Sequence, residues 1–209
     1  MSIVNVWLSP TRALVAADTH TKNVLTGKIS EGSKMLALPH AGAVIGHRGH
    51  NVFLSTVFSL STQRSDVVDF DTLCAAMPDM LQTTHNFIYS NLPVDQRDSM
   101  AAQEFLIVGH SGGRISCKVF ARQDMQLGFI ESDIEDPGYV GCWDMDWGYP
   151  PEDIGTPEGM SALVQIQTKK HREMYPNEAI GGRLLLAEVT QAGITFTQLG
   201  DALKAQAAR

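Results

Sequence analysis

A chain of 209 residues, 44% apolar and 19% charged, has enough material for one domain with a sizeable core. A net charge of −7 gives no long-range attraction to nucleic acid or to an anionic membrane surface, and no apolar run approaches the ~20 residues of a membrane span. Three cysteines, Cys74, Cys117 and Cys142, are odd in number and far apart, which argues against a disulfide framework or a cysteine zinc site.

Residues 3–8 are apolar on both faces and partly β-branched, and read as a buried strand. The segment SPTR makes a turn at Pro10. Residues 13–17 form a second strand that Asp18 ends, so the two strands make a hairpin. The stretches GKISEGSKMLAL (27–38) and AGAVIGHRG (41–49) read as further strands parted by PHAG. Val52, Phe53, Val57 and Leu60 give residues 50–62 helical spacing. Residues 69–91 form a longer helix, with Asp69 or Asp71 as cap and Pro78 expected to kink or split it. EFLIVGHS (104–111) and GGRISCKVFA (112–121) are strands, the second alternating Ile115, Cys117 and Val119 with polar residues. Residues 131–156 read mostly as loop around a short GYVGC strand (138–142). Thr156 caps a helix that runs to about residue 175, with Pro157 in its first turn. Residues 182–199 form a final hairpin turning at TQAG. Strands and helices thus alternate in blocks. This pattern implies an α+β domain spanning residues 1–209, of stacked antiparallel sheets with helices outside.

GHSGG (109–113) fits the G-x-S-x-G nucleophile elbow, which would make Ser111 the nucleophile of a serine esterase. The elbow requires a helix after the serine. The residues that follow alternate like a strand, so a glycine-rich hairpin turn explains the same letters. His171, the downstream histidine such a triad would need, falls within a charged helix.

The N-terminus offers a different chemistry. A hydroxyl on the first residue of a mature chain attacks a carbonyl while its own α-amine takes the proton. That amine, ordinarily near 7.7–8.0, needs a nearby cation to shift it downward, an acid to hold the cation, and a backbone N–H to face the oxyanion. Ser2 is small enough for Met1 to be removed. Asp18 ends the second strand, Lys34 opens a later one, and Gly46 and Gly49 close the strand before the first helix.

Ser2, the AAD segment ending at Asp18, GSKMLAL with Lys34, and VIGHRGH with Gly49 together resemble the proteasome β-subunits. The resemblance is nearest to the peptidase subunit of the bacterial two-component ATP-dependent protease. It implies a four-layer αββα sandwich and peptide-bond hydrolysis without a cofactor or metal. By resemblance, Ser2 is nucleophile, its amine is base, Lys34 tunes that amine, Asp18 holds Lys34, and the Gly49 N–H forms the oxyanion hole. Thr21, His47 and Arg48 fall on the substrate side, the last two at a pocket rim or facing solvent. His47 and His50 lack a third ligand for a metal. Cys142 stands where the proteasome has an auxiliary serine. Asn177 and Ile180 stand near its second support pair. A homo-oligomer in a ring or stacked ring follows from the resemblance, with residues 50–91 as the contact face and room for an unfoldase partner. A catalytically inactive assembly subunit is the alternative. No basic residue precedes the N-terminal apolar stretch, so ALVAA is not read as a signal cleavage site, and the expected location is the cytoplasm.

Overall fold

The computed structural model of the chain describes residues 2–22, 26–94, 97, 101–124, 128–136, 138–141 and 152–202. The first hairpin forms as expected, from β1 (Val4–Ser9) and β2 (Arg12–Asp18). A small two-stranded unit follows, β3 (His20–Lys22) with β4 (Ile29–Glu31). Next come β5 (Met35–Leu38), β6 (Ala43–Arg48), and the helices α1 (Asn51–Gln63) and α2 (Phe70–Asn91). Then come β7 (Gln103–Ser111), β8 (Arg114–Arg122), β9 (Ile130–Ile134) and β10 (Gly138–Val140). The described chain closes with α3 (Pro157–Met174), β11 (Arg183–Thr190) and β12 (Gly193–Asp201).

Two five-stranded sheets carry the fold, in the orders β10-β1-β2-β11-β12 and β5-β6-β7-β8-β9. Side chains alternate across each strand, so each sheet has two faces to bury. Val4, Val6, Ala13 and Val15 of the first sheet meet Val44, Leu106, Val108 and Val119 of the second. On the outer face of the first sheet, Ile3, Leu14 and Ala16 pack under Met160, Leu163 and Val164 of α3. On the outer face of the second, Ile45, Phe105 and Ile107 pack under Phe53, Val57 and Met77 of α1 and α2. The result is an αββα sandwich with three apolar seams. Gly46 lets the sheets approach, because a Cβ there would come 2.9 Å from Val4 Cγ1.

Three local expectations are corrected. The segment 27–38 is not one strand: it breaks at residues 32–34, and its halves, β4 and β5, join different sheets. Residues 131–134, expected as loop, belong to β9, which adds an edge strand beside β8. Pro78 does not split α2, which continues through it. The proline lies on the exposed face, while Leu73, Met77, Leu81 and Thr84 hold the buried face on both sides of it. Asp69 caps α2 through a reciprocal pair with Thr72, and Thr156 caps α3 through Gly159 N–H at 3.0 Å. No described helix is long and apolar enough to cross a membrane.

Candidate active site

Asp18 is the hub. Its Oδ1 accepts from Ile3 N–H at 2.9 Å and from Lys34 Nζ at 2.6 Å, and its Oδ2 accepts from Gly181 N–H at 2.9 Å. Asp18 is fully buried and Lys34 is 1% exposed. A buried carboxylate persists when its oxygens are filled by donors and a cation, as they are here. Asp18 N–H also returns a 3.3 Å bond to Ile3 O, so the end of β2 grips the start of β1 from both sides. Ile3 N–H and Lys34 Nζ share one oxygen. This sets the ammonium beside the peptide bond joining Ser2 to Ile3. Ser2 itself is buried, one step beyond the Ile3–Asp18 pair.

Lys34 lies in the break between β4 and β5. Its carbonyl accepts from His47 N–H at 2.8 Å, which ties the lysine to the end of β6. Gly49, just past β6, adopts φ +141°, a region open to glycine and costly for other residues. His47 and Arg48 do not line an open rim or face solvent, at 1% and 8% exposure. Arg48 turns inward instead. Its Nε donates to Val4 O at 2.9 Å, its Nη2 donates to the same oxygen, and its Nη1 pairs with Glu104. The reason is a vacancy in the ladder. Ile3 O faces β2, so Val4 O faces the other edge, and pairing with β10 begins only at Val6. His47 Nε2 lies 2.9 Å from Gln103 Oε1, and its ring packs 4.4 Å from that of Phe105. Burial takes its pKa down to about 4 against the opposing pull of the Gln103 bond, with charge on His50 and Lys34 adding to the fall. The imidazole is therefore neutral at pH 7.

Behind Asp18, Arg172 near the end of α3 donates from Nε and Nη2 to Ile180 O at 3.2 and 2.9 Å. This fixes the backbone that presents Gly181 N–H to Asp18. Asn177 does not supply this support. It is exposed, and its carbonyl accepts from Lys22. Asn5 and Gln167, both fully buried, bond each other at 2.6 and 3.2 Å and meet Tyr139, linking β1 to α3. Thr21 lies on β3, paired with Ser30. Cys142 lies outside the described residues. Ser111 ends β7 and β8 follows after two residues, so the elbow's required helix is absent and the esterase reading fails. His171 lies in α3 as expected, and its side chain is fully buried. Among the described residues, no three His, Cys, Asp or Glu side chains converge as a metal site.

The sequence reading singled out Asp18 and Lys34, which do meet, at 2.6 Å. It missed Gln103, Glu104, Gly181 and Arg172. Gln103 and Glu104 reach the site through the β6–β7 register, in which Arg48 stands opposite Glu104. Nothing along the chain announces a pairing across 56 residues.

The two sheets, their helical layers and the join at the start of β1 define a proteasome-like αββα sandwich. Among solved structures, the helical assembly of the Anbu complex from Pseudomonas aeruginosa matches with a TM-score of 0.67 at 17% identity, over 99% of this chain and 88% of that one. Anbu from Hyphomicrobium sp. strain MC1 matches at 0.63 and 14%, over 95% and 87%. Anbu, an ancestral β-subunit, from Yersinia bercovieri matches at 0.62 and 15%, over 95% and 87%. At these identities the likeness is one of fold. No protein-family model matches the chain, and no curated protein matches it in sequence.

Proposed function

We propose that the chain is a proteasome-like N-terminal nucleophile hydrolase that cleaves peptide bonds with Ser2, once Met1 has been removed. The observation that carries this reading is the buried Asp18–Lys34 pair, 2.6 Å long, whose acid also holds Ile3 N–H. A buried ammonium beside residue 2 favours the neutral form of a Ser2 α-amine, which makes that amine a base at neutral pH. The amine takes the Ser2 hydroxyl proton as Oγ attacks the substrate carbonyl. The oxyanion forms against the Gly49 N–H, the protonated amine passes its proton to the leaving amine, and an acyl-Ser2 ester remains. Water then attacks the ester by the same path in reverse, releasing the acid and restoring Ser2.

The test begins with the intact mass of untagged protein, then labelling with a peptide epoxyketone or β-lactone. Loss of one methionine, labelling at Ser2, and loss of both labelling and peptidase activity in Ser2→Ala at unchanged melting temperature are the expected results. A retained Met1 with no labelling sinks the peptidase and leaves a catalytically silent assembly subunit of the same fold.

The reading includes self-assembly and a cytoplasmic setting. The Pseudomonas Anbu complex is a helical assembly, and the present chain carries apolar side chains on the outer α1–α2 face, with Val52 44% and Phe87 62% exposed. Among the described residues Cys74 and Cys117 are free thiols, which suits a reducing compartment.

A further inference from the structure

Gln103, the first residue of β7, touches both flanks of the Gly49 turn and has no role in the chemistry set out above. Its Oε1 accepts from His50 N–H at 3.1 Å and lies 2.9 Å from His47 Nε2. A backbone N–H can only donate, so the atom it meets is the amide oxygen, and His47 must then donate from Nε2. The same carboxamide fills the open side of Gly49, where a Cβ would come 2.7 Å from Gln103 Cδ. Residues 47 and 50 are thus tied to one oxygen, and Gly49 between them meets the same carboxamide on the side a Cβ would occupy. Helix α1 holds His50 by its carbonyl, which accepts from Phe53 N–H at 2.8 Å, while the His50 side chain makes no cap bond among the described residues. Gln103 and His47 are each 1% exposed, so solvent does not compete for the oxygen.

We propose that Gln103 is a positioning residue for the Gly49 N–H, holding the 47–50 turn so that this donor already points where the oxyanion forms. The proposal rests on the Ser2 nucleophile reading and deepens it. A donor fixed in advance needs no reorganisation during reaction. A turn free to relax gives that advantage up. A neutral amide suits the position, because it accepts two N–H groups without bringing negative charge towards the oxyanion.

The experiment measures acylation of Ser2 by a β-lactone, resolved into apparent affinity and acylation rate, on protein whose mass shows Met1 removed. Gln103→Met keeps length and apolar bulk but removes the acceptor. His50→Pro removes the N–H that Gln103 receives, at φ −79° where proline fits, and His50→Ala controls for loss of the imidazole. Gln103→Met and His50→Pro are each expected to slow acylation by about tenfold to hundredfold with affinity changed less than about threefold, as for a misplaced catalytic group. His50→Ala is expected to keep the wild-type rate. The variant carrying both Gln103→Met and His50→Pro is expected to be no slower than the worse single, because His50→Pro removes one of the two bonds that Gln103→Met already removes. A wild-type acylation rate in Gln103→Met, a loss confined to affinity, or single-variant losses that multiply would each overturn the proposal. If Gln103→Met does not fold, His50→Pro against His50→Ala decides it alone. A wild type that the lactone leaves unlabelled overturns the nucleophile reading and this inference with it. A labelled wild type with an equally fast Gln103→Met overturns this inference only.

Discussion

Asp18 holds three donors in a place water does not reach, and Lys34 is the only one of them with a full charge. A buried ion pair gains little over an apolar replacement, but removing one partner strands the other. Lys34→Met is therefore expected to lower stability by about 3–5 kcal/mol in urea unfolding, whatever it does to catalysis. An unchanged midpoint would show that the carboxylate finds another partner. His47 gives a second prediction at this scale. Its pKa falls from 6.5 to about 4 on folding, mainly through burial. Between those values the unfolded chain binds a proton that the folded chain refuses, so stability falls as pH drops through the window and levels off below it. The loss from this group between pH 7 and pH 4.5 is on the order of 2 kcal/mol. His50 and His85 are also held below their ordinary values by burial. The difference between wild type and His47→Gln, whose amide N–H can still reach Gln103, isolates the contribution. Equal pH slopes for the two would contradict it.

At the scale of elements, α3 matters beyond its packing, because Gln167 and Arg172 reach from it towards the start of β1 and towards Gly181. Its first turn depends on Thr156, which accepts from Gly159 N–H and donates to Asp153 O at 2.8 Å. Thr156→Ala is expected to cost about 1 kcal/mol, a fall of about 2–4 °C in melting temperature for a chain of this size. A scanning calorimetry trace unchanged from wild type would show that the cap is idle. Elements such as this helix were legible in the sequence because their signals are local: a capping threonine, a proline in the first turn, apolar residues at helical spacing. The first and last hairpins were legible for the same reason. β4 and β9 were not. Their residues are almost all exposed, so no alternation of apolar and polar side chains marks them. The break at residues 32–34 was hidden because the runs on either side both read as strand, and only their partners, β3 for β4 and β6 for β5, tell them apart. The pairs Arg48–Glu104 and His47–Gln103 were hidden more deeply, since they exist only once β6 has found β7.

At the scale of the molecule, the proposed assembly makes a direct prediction. Phe87→Glu on the outer face of α2 is expected to reduce the mass seen by light scattering to that of the 22.8 kDa protomer, with melting of the fold itself intact. Persistence of a larger species would place the contact elsewhere. The site also has a consequence for timing. Asp18 ends a strand of one sheet, and Lys34 leads into a strand of the other. Arg48, from the second sheet, holds the carbonyl of Val4 in the first. Each hairpin can form alone from neighbouring residues, whereas contacts between sheets close long loops and come later. With Ser2 as the proposed nucleophile, a nascent or half-folded chain has its serine but not the Asp18–Lys34 pair beside it. Heating that parts the sheets separates Asp18 from Lys34. On the proposed Ser2 mechanism, the reactivity of the N-terminus would report whether folding has finished, and unfinished copies of the chain would be spared from one another.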